Sequence, residues 1–148
     1  TAGDAKELEG AGGSPDFSSR VQAVCDFYGP SDLNAIASQP SRISRRGADA
    51  PEALLIGGPL HERRDRAAQA SPVTYVTPDD PPFLIVHGTD DTMVPYAQSV
   101  ALRDALAKAG VAVELITLEG AGHGGPQFQT PELRARILEF FRKALEQK

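Results

Sequence analysis

Apolar positions along this chain follow two rhythms. Val21–Tyr28 (VQAVCDFY) is a short apolar run closed by Gly29-Pro30, and its length and turn-forming border predict a buried strand. Phe83–Gly88 (FLIVHG) follows Pro81-Pro82, and its β-branched core predicts a strand buried on both faces, as in parallel sheets. Val111–Leu118 (VAVELITL) predicts the next strand. Between the last two the period becomes helical. Leu102, Ala105, Leu106 and Ala109 fall at i, i+3, i+4 and i+7, one face of a helix over Pro95–Ala109. Pro95 opens that helix and Gly110 ends it at the C′ position. Thr130 caps a final helix that Pro131 opens, with an apolar stripe of Leu133, Ile137, Phe140, Phe141 and Leu145.

The other segments carry no such period. Thr1–Arg20 is rich in Gly, Ser and Asp, which predicts surface loop with a short helical turn near Ala5–Leu8. Residues 31–70 are irregular and polar. Ser31 is positioned to cap a short helix over Asp32–Ser38, Pro51 to open a second, and His61–Ala70 to form a mostly exposed third. We expect this stretch to be an insertion between core strands. The order strand, helix, strand, loop, helix in the second half predicts an α/β fold. Its expected form is a parallel sheet of about three strands with flanking helices, one domain spanning 1–148.

Charge and composition narrow the function classes. With 148 residues, 41% hydrophobic and 24% charged, the chain fits one globular domain. A formal net charge of −5 argues against nucleic acid as a partner, because that needs a basic face. Arg42, Arg45, Arg46, Arg63, Arg64 and Arg66 gather locally, but among acids, and read as solvated surface. No stretch approaches the ~18 apolar residues of a membrane span, so no membrane partner is expected. Thr1–Gly10 is polar and acidic, unlike a signal peptide, and the compartment stays open. Cys25, the single cysteine, sits in an apolar run and reads as a small buried hydrophobe. His61 lies in HERRD, which lacks the second His of the zinc motif H-E-x-x-H. Asp79-Asp80 before Pro81 reads as a turn. No P-loop occurs, and no nucleotide cofactor is expected.

Candidate chemistry gathers on two loops that leave the carboxyl ends of predicted strands, where open α/β sheets bind ligands. One is His87–Pro95 (HGTDDTMVP), the other Glu119–Gly125 (EGAGHGG). Adjacent parallel strands deliver both loops to the same edge, so an Asp of the first can meet His123 of the second. A carboxylate accepting an imidazole Nδ1 proton fixes the ring's tautomer, and the other ring nitrogen can then take a proton from a nucleophile. The simpler reading of the acid is a cap on the helix that starts near Pro95. His87 ends a buried strand and reads as a structural or supporting residue.

These motifs carry a resemblance. HGTDDTMVP at 87–95 resembles the acid loop H-G-x-x-D-x-x-V-P of the α/β-hydrolase superfamily, and GAGHGG at 120–125 resembles its histidine loop. With YGPSDL at 28–33 and ASPVTYV at 70–76, the chain is similar to the acetyl- and feruloyl-esterase-like branch, near the prolyl-oligopeptidase type. The resemblance implies that Asp91 is the triad acid, with Asp90 beside it as the alternative, and that His123 is the general base. Asp32 and Ser71 match recurring structural positions, and Met93 and Tyr28 are candidates to line an acyl pocket. The implied activity is hydrolysis of a small carboxylic ester by a Ser-Asp-His triad, with no metal or organic cofactor. The alternatives are a serine peptidase of prolyl-oligopeptidase type, or a chain that assembles without catalysing.

The nucleophile of such enzymes sits in a G-x-S-x-G elbow. The nearest string, Gly12-Gly13-Ser14-Pro15-Asp16, lacks the last Gly and follows no predicted strand, and Pro15 has no N–H to offer an oxyanion. The opening TAGDAKELEG resembles the stretch that follows the elbow helix in similar esterases. The resemblance therefore implies the C-terminal portion of an α/β-hydrolase fold, with the serine upstream. The first strand would then present an unpaired apolar edge, and the expected partner is the N-terminal portion of the same protein or a second copy of this chain.

Overall fold

The computed structural model describes residues 8, 10, 12–14 and 16–146. Strands β1 (Val24–Phe27), β2 (Phe83–Gly88) and β3 (Val113–Leu118) form one parallel sheet in the order β1-β2-β3. Three short helices, α1 (Leu33–Ile36), α2 (Pro51–Ile56) and α3 (Arg64–Gln69), separate β1 from β2. Helix α4 (Ala97–Lys108) joins β2 to β3, and α5 (Pro131–Glu146) follows β3. This is the α/β architecture the hydrophobic pattern predicts. The turn expected at Ala5–Leu8 lies, apart from Leu8, outside the described residues.

Strand β2 is buried along its whole length and divides the core in two. Its odd positions, Phe83 and Ile85, pack on Leu102 and Leu106 of α4 with Val111. Its even positions, Leu84 and Val86, pack with Ile116 on Leu133 of α5, with Ile137 and Phe140 against them. Period-two alternation thus feeds one helix on each face. Each such buried side chain contributes about 1.5–3 kcal/mol of transfer free energy. A third cluster, Leu33, Ile36, Ile56, Leu60, Ala67 and Val94, closes residues 31–70 onto the acid loop.

Several boundaries differ from expectation for local reasons. β1 starts at Val24, not Val21, because its partner strand begins after Pro81-Pro82; Val24 N–H bonds to the Pro82 carbonyl, and proline offers no donor to extend the ladder. It ends before Tyr28, which takes φ 45. The third short helix begins at Arg64, not His61, and α4 at Ala97. Ser31 is not the cap of α1. Its hydroxyl donates to the Gln98 carbonyl, and Asp32 takes the capping role, accepting from Ala35 N–H at 2.9 Å. Ser71 ties the same region together, donating to Ala67 O and accepting from Leu33 N–H. The stripe of α5 thins toward its end, where Leu145 is 51% exposed.

Gly110 (φ 82) ends α4, with Val111 N–H bonding back to Leu106 O at 3.0 Å. Gly88 serves a different need. A Cβ there would lie 2.1 Å from the Ala121 carbonyl oxygen, so only glycine lets the end of β2 touch the loop that follows β3. Gly88→Ala is expected to lower the unfolding free energy by roughly 1–3 kcal/mol through overpacking. Urea unfolding followed by circular dichroism measures it, and an unchanged midpoint contradicts the close approach.

Candidate active site

The register of the sheet pairs His87 with Thr117 and Gly88 with Leu118, so β2 and β3 end level and release their loops side by side. Asp90 N–H bonds to Ala121 O at 2.9 Å and Thr89 N–H to Leu118 O at 3.1 Å. Gly120 N–H bonds to Thr89 Oγ1 at 2.9 Å. These bonds lock the two loops together, and their side chains converge. His123 Nδ1 lies 2.7 Å from Asp91 Oδ2. The Asp91 side chain is fully buried, whereas that of His123 is 28% exposed. Among the described residues, Nε2 of His123 makes no hydrogen bond.

Asp91 is surrounded by donors. Oδ1 accepts from Met93 N–H at 2.8 Å and Val94 N–H at 2.9 Å. Oδ2 meets His123 Nδ1 and also His87 Nε2, the latter at 3.1 Å. Burial alone would raise the Asp91 carboxyl, but the hydrogen bond from His123 and those from the Val94 and Met93 backbone outweigh it and hold the group below the usual carboxylate range. Asp90, one residue earlier, is exposed and bonds only weakly with Thr89 Oγ1 at 3.4 Å. It is Asp91, therefore, that the fold brings to His123.

Tyr28 builds the other wall. Its left-handed backbone is uncommon for a bulky residue and sets its ring 4.3 Å, centroid to centroid, from that of His123. Phe128 packs edge-on against Tyr28 at 5.0 Å. Met93 is 44% exposed beside the acid. A cleft of about 570 Å³ runs along the acid loop, lined by Ser41, Arg42, Asp90, Asp91, Thr92 and Tyr96 among others. A larger cavity of about 630 Å³ lies at the amino ends of β2 and β3, against α5. That is the wrong end of the sheet for ligand chemistry.

Other sequence candidates fall away from this pair. Ser14 is exposed, in a turn where Phe17 N–H meets its carbonyl. His61 is exposed and lies 3.6 Å from Glu62. Cys25 is no thiolate, since burial and then the Asp26 charge push it up to about 11. Among the described residues no group of His, Cys, Asp and Glu could hold a metal ion, and no helix is long and apolar enough to cross a membrane.

Sequence reasoning missed two supports. Arg45 is not solvated surface but 4% exposed. Its Nε pairs with Glu52 at 2.9 Å and its Nη2 donates to Met93 O at 2.6 Å, fastening residues 31–70 to the acid loop. Gln98 and Ser99 are fully buried in the first turn of α4. Gln98 Oε1 accepts from Ser31 and Asp32 N–H, and Ser99 Oγ lies 2.6 Å from His87 Nδ1. Both precede Leu102 on the helix's inward stripe, but the sequence carries no signal for the partners that keep them buried.

Comparison with known proteins follows the same lines. A model of the BD-FAE family matches residues 1–106, a span that includes Asp91. The chain is 49% identical over 104 residues to Esterase LipQ of Mycobacterium tuberculosis, covering 70% of this chain and 24% of that protein. It spans between 21% and 25% of the length of the curated esterases it matches. Among solved structures it is similar to a bifunctional GH43-CE of Bacteroides eggerthii, at 37% identity and TM-score 0.80, covering 93% of this chain and 19% of that one. It is also similar to a truncated form of a carbohydrate esterase from gut microbiota, at 35% identity and TM-score 0.77, covering 86% of this chain and 44% of that one.

The two carboxylates near the site should behave oppositely. Asp91 has its folded pKa below its unfolded one, so its contribution is present above about pH 4 and is lost as pH falls through the folded value. Asp91→Asn should therefore flatten the acid limb of a stability–pH curve. Asp26 is raised, chiefly by burial, against the lowering hydrogen bond from Gly29 N–H, and its Oδ2 is buried without a partner. Ionised Asp26 therefore costs stability at neutral pH, so its contribution should fall as pH rises through its raised folded value, and Asp26→Asn should remove that pH dependence, read by thermal and urea unfolding at several pH values.

Proposed function

The chain belongs to the BD-FAE family of esterase-like α/β-hydrolases, and we propose that it supplies the acid and the base of a carboxylic ester hydrolase. His123 takes the proton of a serine hydroxyl at Nε2 as the serine attacks an ester carbonyl. It then returns that proton to the leaving alcohol. Asp91 accepts the Nδ1 proton throughout, orienting the ring and stabilising the imidazolium. The single observation that carries this reading is the 2.7 Å contact between a buried carboxylate and an imidazole whose other nitrogen is unengaged. The likeness to Esterase LipQ and to a carbohydrate esterase favours an ester, with an acylated sugar as a natural substrate class.

The serine belongs, in this proposal, to a G-x-S-x-G elbow outside this chain. The outer edge of β1 is where that segment joins. All four residues of β1 are half-buried, and β2 is its only strand partner among the described residues. A parallel strand laid there would also cover Asp26.

Hydrolysis of p-nitrophenyl acetate tests the proposal, measured on this chain alone and on the chain assembled with an elbow-bearing segment of a related esterase. We expect turnover in the assembly and a loss in kcat of about 10³-fold or more for His123→Ala and for Asp91→Asn. Turnover undiminished by His123→Ala would refute the assignment.

A further inference from the structure

Two buried side chains behind the Asp91–His123 pair, His87 and Ser99, make a chain that the ester-hydrolase reading does not use. His87 is fully buried. Its Nε2 faces two oxygens, Asp91 Oδ2 at 3.1 Å and the Val94 carbonyl at 3.0 Å. A carbonyl cannot donate, so Nε2 carries the proton. On the other side, Nδ1 meets Ser99 Oγ at 2.6 Å. With a neutral ring, Nδ1 accepts the Ser99 hydroxyl proton and every group is satisfied. With a doubly protonated ring, the Ser99 hydroxyl proton would have no acceptor among the described residues, at a site with no solvent exposure. The bonds therefore run in one direction, from Ser99 O–H to His87 and from His87 N–H to Asp91.

We propose that His87, protonated at Nε2 toward Asp91 and the Val94 carbonyl and held at Nδ1 by the Ser99 hydroxyl, is a positioning residue for His123 that acts through the shared oxygen Asp91 Oδ2. The proposal rests on the assignment of Asp91 and His123 above. Its physical content is the count of donors. Two backbone N–H groups hold Oδ1 and two ring N–H groups hold Oδ2. Four donors fill the lone-pair sites of a carboxylate, so Asp91 can neither rotate nor swing without breaking several bonds at once. The His87 ring is itself pinned edge-on, by Tyr96 at 5.6 Å and by Tyr28 at 6.3 Å, centroid to centroid. Removing the Ser99 hydroxyl leaves the buried Nδ1 without its donor, so the ring is no longer fixed from that side and can shift against Asp91. A ring protonated at Nδ1 presents a bare Nε2 to Asp91 and Val94 O, which repels both.

The test reads the network without turnover, so it fails or holds separately from ester hydrolysis. In this chain labelled with ¹⁵N-histidine, NMR should show His87 protonated at Nε2 alone, and a low-field proton from His123 Nδ1–H. Ser99→Ala should shift or broaden that His123 proton, although Ser99 touches neither His123 nor Asp91, and Ser99→Thr should restore it. Far-ultraviolet circular dichroism checks that each variant is folded. In an active assembly, Ser99→Ala should lower kcat about tenfold with KM unchanged, as loss of an orienting partner does. An Nδ1–H tautomer at His87 in the unaltered chain would overturn the proposal, and that measurement decides even if Ser99→Ala fails to fold. A His123 proton unmoved in folded Ser99→Ala would overturn it as well.

Discussion

A buried carboxylate is an expensive object, and much of the arrangement around the carboxyl edge of this sheet follows from keeping one ionised. Asp91 carries no exposed side-chain surface. Burying an unpaired carboxylate costs more than the fold could supply, and the group would protonate instead. It stays ionised because three pieces of chain deliver N–H groups to it. The end of β2 contributes His87, the turn after it contributes Met93 and Val94, and the loop after β3 contributes His123. Each donor requires its own segment in place. The register that levels β2 with β3, and the absent Cβ at Gly88 that lets Ala121 approach, are conditions for the carboxylate to be charged at all.

The irregular residues between β1 and β2 gain a purpose in this light. Arg45, paired with Glu52, reaches the Met93 carbonyl, on the very residue whose N–H holds Asp91 Oδ1. Gln98 fastens the N-terminal turn of α4 to Ser31 and Asp32, next to the Ser99 that meets His87. Buried ion pairs add little net stability relative to an apolar replacement, but breaking one costs about 3–5 kcal/mol. Such contacts give one defined loop geometry rather than a large stability gain, which is what a site tolerant of only small misplacements needs.

The sequence made the sheet legible because strand and helix periods are local properties. Phe83–Gly88 announces a strand with no reference to anything distant, and the loops after two adjacent parallel strands must share an edge. The meeting of Asp91 with His123 was therefore within reach of sequence reasoning. Arg45, Gln98 and Ser99 were not, for a definite reason. A buried polar residue looks the same in a hydropathy pattern as an exposed one, and only its partner tells them apart. The partner of Gln98 is 67 residues away at Ser31. The start of β1 was misjudged similarly: nothing in Val21–Ala23 forbids a strand, but Pro81-Pro82 on the neighbouring segment does.

Asp26 and Asp91 show what such partners decide. Both carry buried carboxyl oxygens, and composition gives no reason to rank one above the other. Asp26 receives a single backbone N–H, from Gly29 at 3.2 Å, and its second oxygen is bare. Asp91 receives four donors. Burial raises the first, while hydrogen bonds overcome burial and lower the second. A base-orienting acid must remain charged while the neighbouring ring gains and loses a proton, so only the lowered carboxylate suits that role. Asp90 fails the same criterion from the opposite side, since exposure to water leaves nothing to hold it against His123. Four N–H groups converge on Asp91, strand register determines which of two adjacent aspartates receives them, and it is this count that supports the role proposed for Asp91.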